Sequence, residues 1–123
     1  MTALALLSLL LHQAEAGPGT TRVGGTVTHA EIQQAVAPVL PRLMRCYQKS
    51  LTRDGPNPGG AVVLDVRVAA DGKPKDVTVH ERVGTFSASL RACFTDAARR
   101  GLALAPRPSG EVRIRLPLSL EAR

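Results

Sequence analysis

Residues 59–83 read "GGAVVLDVRVAADGKPKDVTVHERV", and apolar residues alternate with polar ones on both sides of Asp71-Gly72. Before that dipeptide the apolar set is Val62, Leu64, Val66 and Val68. After it, Val77, Val79 and Glu81 alternate with Thr78, His80 and Arg82. Alternation with a period of two is typical of a strand, and Asp-Gly is a preferred turn between paired strands. The stretch therefore predicts an antiparallel hairpin with one face on a core and the other in water.

Helical spacing precedes the hairpin, in residues 28–51. Thr28 is followed by Glu31, which matches a capping box in which each side chain accepts a hydrogen bond from the other residue's amide. Apolar residues then recur three or four positions apart, at Ile32, Val36, Val39, Leu40, Leu43, Tyr47 and Leu51. Pro38 and Pro41 remove amide donors within this run. We therefore expect a bent helix, or a short helix that restarts near Pro38.

A second helix and a third strand follow the hairpin. After residue 85, the residues that share one side of a helix are Phe86, Leu90, Cys93, Phe94, Ala97 and Gly101. In "EVRIRLPLSL", residues 111–120, the inward set is Val112, Ile114, Leu116, Leu118 and Leu120, with Arg113 and Arg115 outward. The order helix, strand, strand, helix, strand predicts an α+β two-layer sandwich, with a three-stranded antiparallel sheet and both helices on its apolar face. This domain is expected to span residues 29–123.

The N-terminal residues have the composition of an export signal. Met1 to Leu11 is almost wholly apolar, and Ala14-Glu15-Ala16 fits the small-x-small pattern of a cleavage site. About 11 apolar residues are too few for a bilayer core, which needs about 20. No Lys or Arg precedes the apolar run, and a buried N-terminal helix is the alternative interpretation. We expect a signal peptide over residues 1–16, a flexible Gly-rich connector over residues 17–28, and a periplasmic or secreted protein with no stable membrane span.

The two cysteines, Cys46 and Cys93, each lie on a helical apolar stripe and each precede an aromatic residue. They form no CxxC motif, and apolar neighbours make a thiol unreactive. Zinc needs about four ligands. After residue 16 the histidines are His29 and His80, which are expected at a helix start and on the opposite sheet face. In an exported protein a Cys46–Cys93 disulfide between the helices is therefore the favoured outcome, and two buried free thiols are the alternative in a cytosolic one.

Several of the charged residues are expected on the outer face of the sheet. The chain has a net charge of +6, but its aromatic content of 2% offers no rings for stacking on bases, so nucleic acid is not an expected partner. If the strands pair as predicted, the outward side chains are Asp65, Arg67, Thr78, His80, Arg82, Arg113 and Arg115. A solvated face is the simple interpretation. The functional one is a docking surface for an acidic envelope protein or an anionic wall polymer, through Arg67, His80, Arg82, Arg113 and Arg115.

The hairpin, the helix after it and the last strand together resemble the C-terminal domain of TonB. More closely, "CYQKSL", "LRACF" and "LPLSL" resemble the AgmX/PglI C-terminal domain of gliding bacteria. The resemblance covers about Ile32 to Leu120, and its matching positions are Cys46 with Tyr47, Gly59, Gly60, Asp71, Gly72, Cys93 and Pro117. It implies a free-standing exported copy of a TonB-like domain, accessory to motility, secretion or transport machinery. It also implies that an exposed edge strand can pair with an extended segment of a partner.

Enzyme chemistry has no visible basis in the sequence. We find no paired carboxylates, no phosphate-binding glycine loop and no Ser/His/Asp set in the sequence. No cofactor is expected. Two functions therefore remain. The favoured one is a non-enzymatic interaction module, stabilised by one disulfide. The alternative is a small cysteine-dependent redox protein or enzyme, which requires a reactive thiol.

Overall fold

The computed structural model describes residues 7–9, 20–23, 27–105, 108 and 110–123. Its order is two short strands, two helices, a hairpin, a third helix and a final strand. The elements are β1 (Leu7–Leu9), β2 (Thr20–Val23), α1 (His29–Val36), α2 (Val39–Asp54), β3 (Gly60–Val68), β4 (Pro74–Val83), α3 (Ala88–Gly101) and β5 (Glu111–Leu120). The predicted helix, strand, strand, helix, strand order is confirmed, with the first helix divided in two.

The three long strands form one antiparallel sheet in the spatial order β5, β3, β4. This confirms the predicted three-stranded sheet. The short strands extend it, because β1 and β2 both pair with β5: Leu7 lies opposite Leu120 and Thr20 opposite Ile114. Strand β1 falls within the predicted signal peptide and β2 within the predicted connector, but most of the first segment and half of the second lie outside the described residues. The boundaries at residues 16 and 28 remain predictions.

The first helical stretch begins and breaks where its sequence predicts. Thr28 Oγ1 accepts a hydrogen bond from the Glu31 amide at 3.1 Å, and Glu31 Oε1 accepts one from the Thr28 amide at 2.9 Å. Helix α1 ends at Val36, and α2 begins directly after Pro38. Pro38 has no amide hydrogen, so the turn that contains it lacks a helical hydrogen bond. The predicted restart near Pro38 is confirmed.

The core lies between the helices and one face of the sheet. All four β3 residues predicted to face inward are buried, and Leu64 sits in register between Val79 of β4 and Leu116 of β5. Val63 and Asp65, on the other face of the strand, are buried as well. Tyr47 of α2 and Phe94 of α3 are fully buried above the inward-facing residues. With so few aromatic residues, the core consists mainly of aliphatic side chains, and these two rings are the largest of its fully buried members.

The predicted Asp71-Gly72 turn closes the β3–β4 hairpin. Asp71 Oδ1 accepts a hydrogen bond from the Lys73 amide at 2.9 Å, and Gly72 adopts a φ of +86°, which L-residues rarely adopt. The Gly72 carbonyl accepts a hydrogen bond from the Leu104 amide at 2.8 Å. A side chain at residue 72 would meet the Leu104 carbonyl oxygen, so glycine is required there both for its conformation and for space.

Candidate interaction surface and the disulfide

Cys46 and Cys93 form a disulfide that joins α2 to α3. Their sulfur atoms are 2.03 Å apart and their Cα atoms 5.7 Å apart. Cys46 is buried and Cys93 is half-buried, so the link closes the gap between the two helices at the rim of the core. The predicted disulfide is present, and both cysteines of the chain are consumed by it.

Oxidation to a disulfide removes the nucleophile that a cysteine enzyme would use, since the reactive species is the thiolate. Within the part of the chain that the structure describes, no three His, Cys, Asp or Glu side chains converge as a metal site would need. Over those same residues, no helix combines the length and the apolar character that crossing a bilayer requires.

The outer face of the sheet, which is the face turned away from the helices, holds the predicted charged residues in cross-strand rows. One row runs Asp76, Arg67, Arg113 across β4, β3 and β5, and the next runs Thr78, Asp65, Arg115. His80 and Arg82 continue the face toward the end of β4, where the β3–β4 register shifts. A shallow cavity of about 440 Å³ lies on this surface, lined by Asp65, His80, Glu81, Arg82, Arg113 and Arg115. The structure thus brings four of the five candidate residues to one cavity, and Arg67 lies beside it.

Asp65 is the one buried charge on this face, with a side chain 7% exposed. Its Oδ1 accepts a hydrogen bond from Arg113 Nε at 2.9 Å, and its Oδ2 accepts from both Nε and Nη2 of the same guanidinium. These hydrogen bonds from Arg113 lower the pKa of Asp65, although burial opposes the shift. They also raise the pKa of Arg113. Arg113 is therefore mainly a partner of Asp65 and is only partly available to another molecule.

Arg67 is neutralised in the same way. Its Nη2 donates to Glu111 Oε1 at 2.9 Å, and its Nη1 lies 3.7 Å from Asp76 Oδ2. Lys75 Nζ adds a second, 3.4 Å contact to Glu111. The hydrogen bond from Arg67 lowers the pKa of Glu111. Sequence reasoning placed four arginines and one acid on this face but left out Asp76 and Glu111, which the alternation of each strand could have added.

Two arginines of this face form no ion pair with any acid in the described part of the chain. Arg115 and Arg82 form no ion pair among the described residues, and the buried Nε of Arg115 has no hydrogen-bond acceptor there. His80 borders them, with Nε2 4.0 Å from Asp65 Oδ2. The capacity of this surface to bind an external anion is therefore concentrated at Arg82 and Arg115.

Strand β4 is the free edge of the sheet in the described part of the chain. Its only partner there is β3, and its residues are exposed or half-buried throughout. Several features of β4 limit indiscriminate strand pairing: Pro74 at its start, Lys75, and the register shifts near both of its ends. The accessible part of the edge is consequently short, from Asp76 to His80.

Comparisons with known proteins show the fold. No family model matches the chain, and no curated protein matches it. Among solved structures, the solution NMR structure of Helicobacter pylori TonB-CTD (residues 179–285) is similar, with a TM-score of 0.53 and 16% identity over 94% of this chain and 95% of that one. The fold is therefore TonB-CTD-like, as the sequence resemblance implied. The finer resemblance to AgmX/PglI stays a prediction.

Proposed function

We propose that this protein is a non-enzymatic, exported interaction module of the cell envelope that docks an acidic partner on the outer face of its sheet. The observation that supports this most directly is that Arg82 and Arg115, which line one cavity, form no ion pair with a described residue. Carboxylates of a partner could pair with these two guanidinium groups where they line the cavity. The partner in this proposal is an acidic envelope protein or an anionic wall polymer.

The disulfide supports the exported location. Disulfides persist in oxidising compartments such as the periplasm and are rare in the cytosol. The Cys46–Cys93 link joins two helices rather than lying in an exposed active site, which fits a structural role. The AgmX/PglI resemblance adds the narrower proposal that the module is an accessory of motility, secretion or transport machinery.

An NMR titration tests the docking face. We expect a short glutamate-rich peptide to shift amide signals of β4 and β5 in the isotopically labelled protein. The variant Arg82→Glu with Arg115→Glu should bind the peptide at least about tenfold more weakly, because two exposed ion pairs are lost and two repulsions replace them.

A matched control removes the same number of unpaired cations elsewhere. Lys73 lies in the hairpin turn and Arg99 on α3, and neither forms a side-chain ion pair among the described residues. Lys73→Glu with Arg99→Glu should bind the peptide almost as the parent does. Equal losses in the two double variants would mean that net charge alone attracts the peptide, and the proposed face would be rejected.

The exposed β4 edge favours a second mode, in which the partner's segment adds as a strand beside Asp76–His80. Strand addition depends on backbone hydrogen bonds, whereas face docking depends on side-chain charge. A peptide of the same sequence that is N-methylated at alternate residues cannot complete the ladder. Loss of binding on methylation indicates strand addition, and retention indicates docking on the face.

A further inference from the structure

The exposed surface of α2 is strongly basic. Its sixteen residues include Arg42, Arg45, Lys49 and Arg53, and their single acid is Asp54 at the C-terminus. Spacings of three, four and four residues place the four cations within about 80° of one another around the helix axis, over a length of about 16 Å. They form one continuous row, which we call the α2 basic stripe.

Most of this charge is uncompensated. Arg53 pairs with Asp54 at 3.0 Å, and on the neighbouring helix Arg100 pairs with Asp96 at 3.0 Å. Arg42, Arg45 and Lys49 have no ion-pair partner among the described residues. Five cations against two carboxylates leave this surface with a local charge of +3.

Grooves lie between the cationic side chains. One, of about 440 Å³, is lined by Arg45, Gln48, Lys49, Thr52 and Arg53. Another, of about 130 Å³, crosses the seam to α3 over the disulfide and is lined by Arg42, Arg45, Cys46, Lys49, Cys93, Asp96 and Ala97. Both are shallow and border on several positive charges, so oxygen atoms of small anionic groups can enter them.

The composition of the stripe indicates what covers it. Protein interfaces usually depend on a few aromatic or aliphatic anchors seated in desolvated pockets. The residues that line the larger groove between these cations are the half-buried Gln48 and the exposed Thr52, and no aromatic side chain lines it with them. Binding here must be almost wholly electrostatic. A surface with a high density of anions suits such a stripe better than the scattered carboxylates of a folded protein.

We propose that the α2 basic stripe binds the anionic phospholipid headgroups of a membrane surface. This inference is independent of the docking proposal, because α2 covers the opposite face of the sheet from Arg82 and Arg115. A protein held to a membrane through α2 presents its arginine-bearing sheet face away from the bilayer, where a partner can reach it.

Vesicle co-sedimentation of the full, disulfide-bonded chain tests the proposal. The vesicles contain either phosphatidylcholine alone or an equal mixture with phosphatidylglycerol, and the measured quantity is the increase in binding that phosphatidylglycerol causes. The comparison with phosphatidylcholine cancels any contribution of the apolar residues 1–11. We expect a clear increase at about 0.1 M salt and its loss near 1 M, where the Debye length falls from about 10 Å to about 3 Å.

The variant Arg45→Gln with Lys49→Gln should reduce the phosphatidylglycerol-dependent affinity roughly 25-fold, since each basic residue at an anionic surface contributes about fivefold. Arg42 is left in place because its side chain packs against Gly101. Glutamine favours helix as arginine and lysine do, and a circular dichroism spectrum confirms the fold of each variant. The control, Lys73→Gln with Lys75→Gln, removes the same charge from the sheet side and should change the affinity less than about threefold.

Three outcomes would overturn the proposal. The first is equal binding to both kinds of vesicle. The second is the same loss of affinity in the control as in the α2 variant, which would mean attraction by net charge. The third is no binding to phosphatidylglycerol vesicles together with binding of a glutamate-rich peptide that requires Arg45 and Lys49, which would assign the stripe to an acidic protein.

Discussion

Asp65 of β3 lies directly opposite Arg115 of β5, yet its carboxylate accepts hydrogen bonds from Arg113, which precedes Arg115 by two residues on β5. This diagonal pairing divides the arginines of the outer face into two kinds. Arg113 stabilises a buried carboxylate, and Arg115 is left without an acidic partner among the described residues. Charge reversal at Arg113 would therefore disturb the fold as well as any docking, whereas charge reversal at Arg82 and Arg115 leaves the Asp65–Arg113 pair intact.

The first prediction concerns the stability of this pair. Asp65→Asn removes the negative charge and leaves the guanidinium of Arg113 without its partner. Breaking a fully buried pair costs about 3–5 kcal/mol and an exposed one about 0–1 kcal/mol. Because Asp65 is buried while Arg113 is 46% exposed, we expect the free energy of unfolding to fall by about 2 kcal/mol in urea denaturation.

Asp76→Asn is the matched control. Asp76 of β4 also faces an arginine, Arg67 of β3, but its side chain is 57% exposed and its Oδ2 atom lies 3.7 Å from Arg67 Nη1. We expect a change within about 0.5 kcal/mol. If the two substitutions cost the same, the diagonal pair contributes nothing beyond an ordinary surface contact.

The second prediction is a dependence of stability on pH. Hydrogen bonds from Arg113, Arg67 and Arg53 lower the pKa values of Asp65, Glu111 and Asp54 respectively, that of Asp54 to about 2. A carboxyl with a lower pKa in the folded state than in the unfolded state stabilises the fold fully above its unfolded pKa. The stabilisation is lost as the pH falls through the folded pKa.

Thermal unfolding from pH 6 downward measures this effect. The melting temperature should be nearly constant down to about pH 5 and then decrease toward about pH 2. Asp65→Asn removes one of the three groups, so its melting temperature should decrease less steeply over the acidic range. Parallel curves for the variant and the parent protein would show that Asp65 does not contribute to the pH dependence.

Local sequence features predicted the secondary-structure elements of this molecule and several of their boundaries. The hairpin around Asp71-Gly72, the capping box at Thr28 and the break at Pro38 each depend on neighbours within a few residues, so their patterns are legible in one sequence. The disulfide was predictable as well, because Cys46 and Cys93 both lie on apolar stripes that must cover the same sheet face.

Charge compensation was not predictable in the same way. Whether Asp65 bonds to Arg113 or Arg115 depends on side-chain geometry across two strands, and both choices satisfy the alternation of β5. The α2 basic stripe was missed for another reason. Its cations are separated by uncharged residues along the chain, so the charge looked dispersed until the helix brought Arg42, Arg45 and Lys49 to one side.

The third prediction concerns the disulfide. The double variant Cys46→Ala with Cys93→Ala should lose roughly 4 kcal/mol of unfolding free energy, because a link across 47 residues restricts the unfolded chain. Reducing agent should destabilise the parent protein by a similar amount and leave the double variant unchanged. Urea denaturation with and without dithiothreitol measures both effects.

Thiol labelling separates the interaction module from a cysteine-dependent enzyme. We expect iodoacetamide to leave the folded, unreduced protein unmodified and to label Cys46 and Cys93 after reduction and unfolding. Rapid labelling of either cysteine in the protein as it is first isolated from the cell would instead indicate a reactive thiol and favour the redox function.

The fourth prediction concerns Tyr47, whose ring is fully buried while its hydroxyl reaches the chain end. The hydroxyl donates a hydrogen bond to the Glu121 carbonyl oxygen at 2.7 Å, and burial is the main cause of its raised pKa. Backbone hydrogen bonds of 2.6 and 2.7 Å between Asn57 and Arg123 hold the same terminal segment against the loop after α2. The hydroxyl and this loop together fix the residues that follow β5.

Tyr47→Phe keeps the ring and deletes only the hydroxyl, so the core should remain packed. We expect a loss of about 1 kcal/mol in unfolding free energy and faster hydrogen exchange at the Arg123 amide. The Ala69 amide, which donates to the Lys73 carbonyl oxygen in the distant hairpin turn, serves as the internal control. Faster exchange at Arg123 with no change at Ala69 would show that the hydroxyl acts locally to tether the chain end. Equal acceleration at both amides would instead mean that the Tyr47 hydroxyl stabilises the whole domain. No change at either amide would mean that the hydroxyl neither tethers the terminal segment nor stabilises the domain.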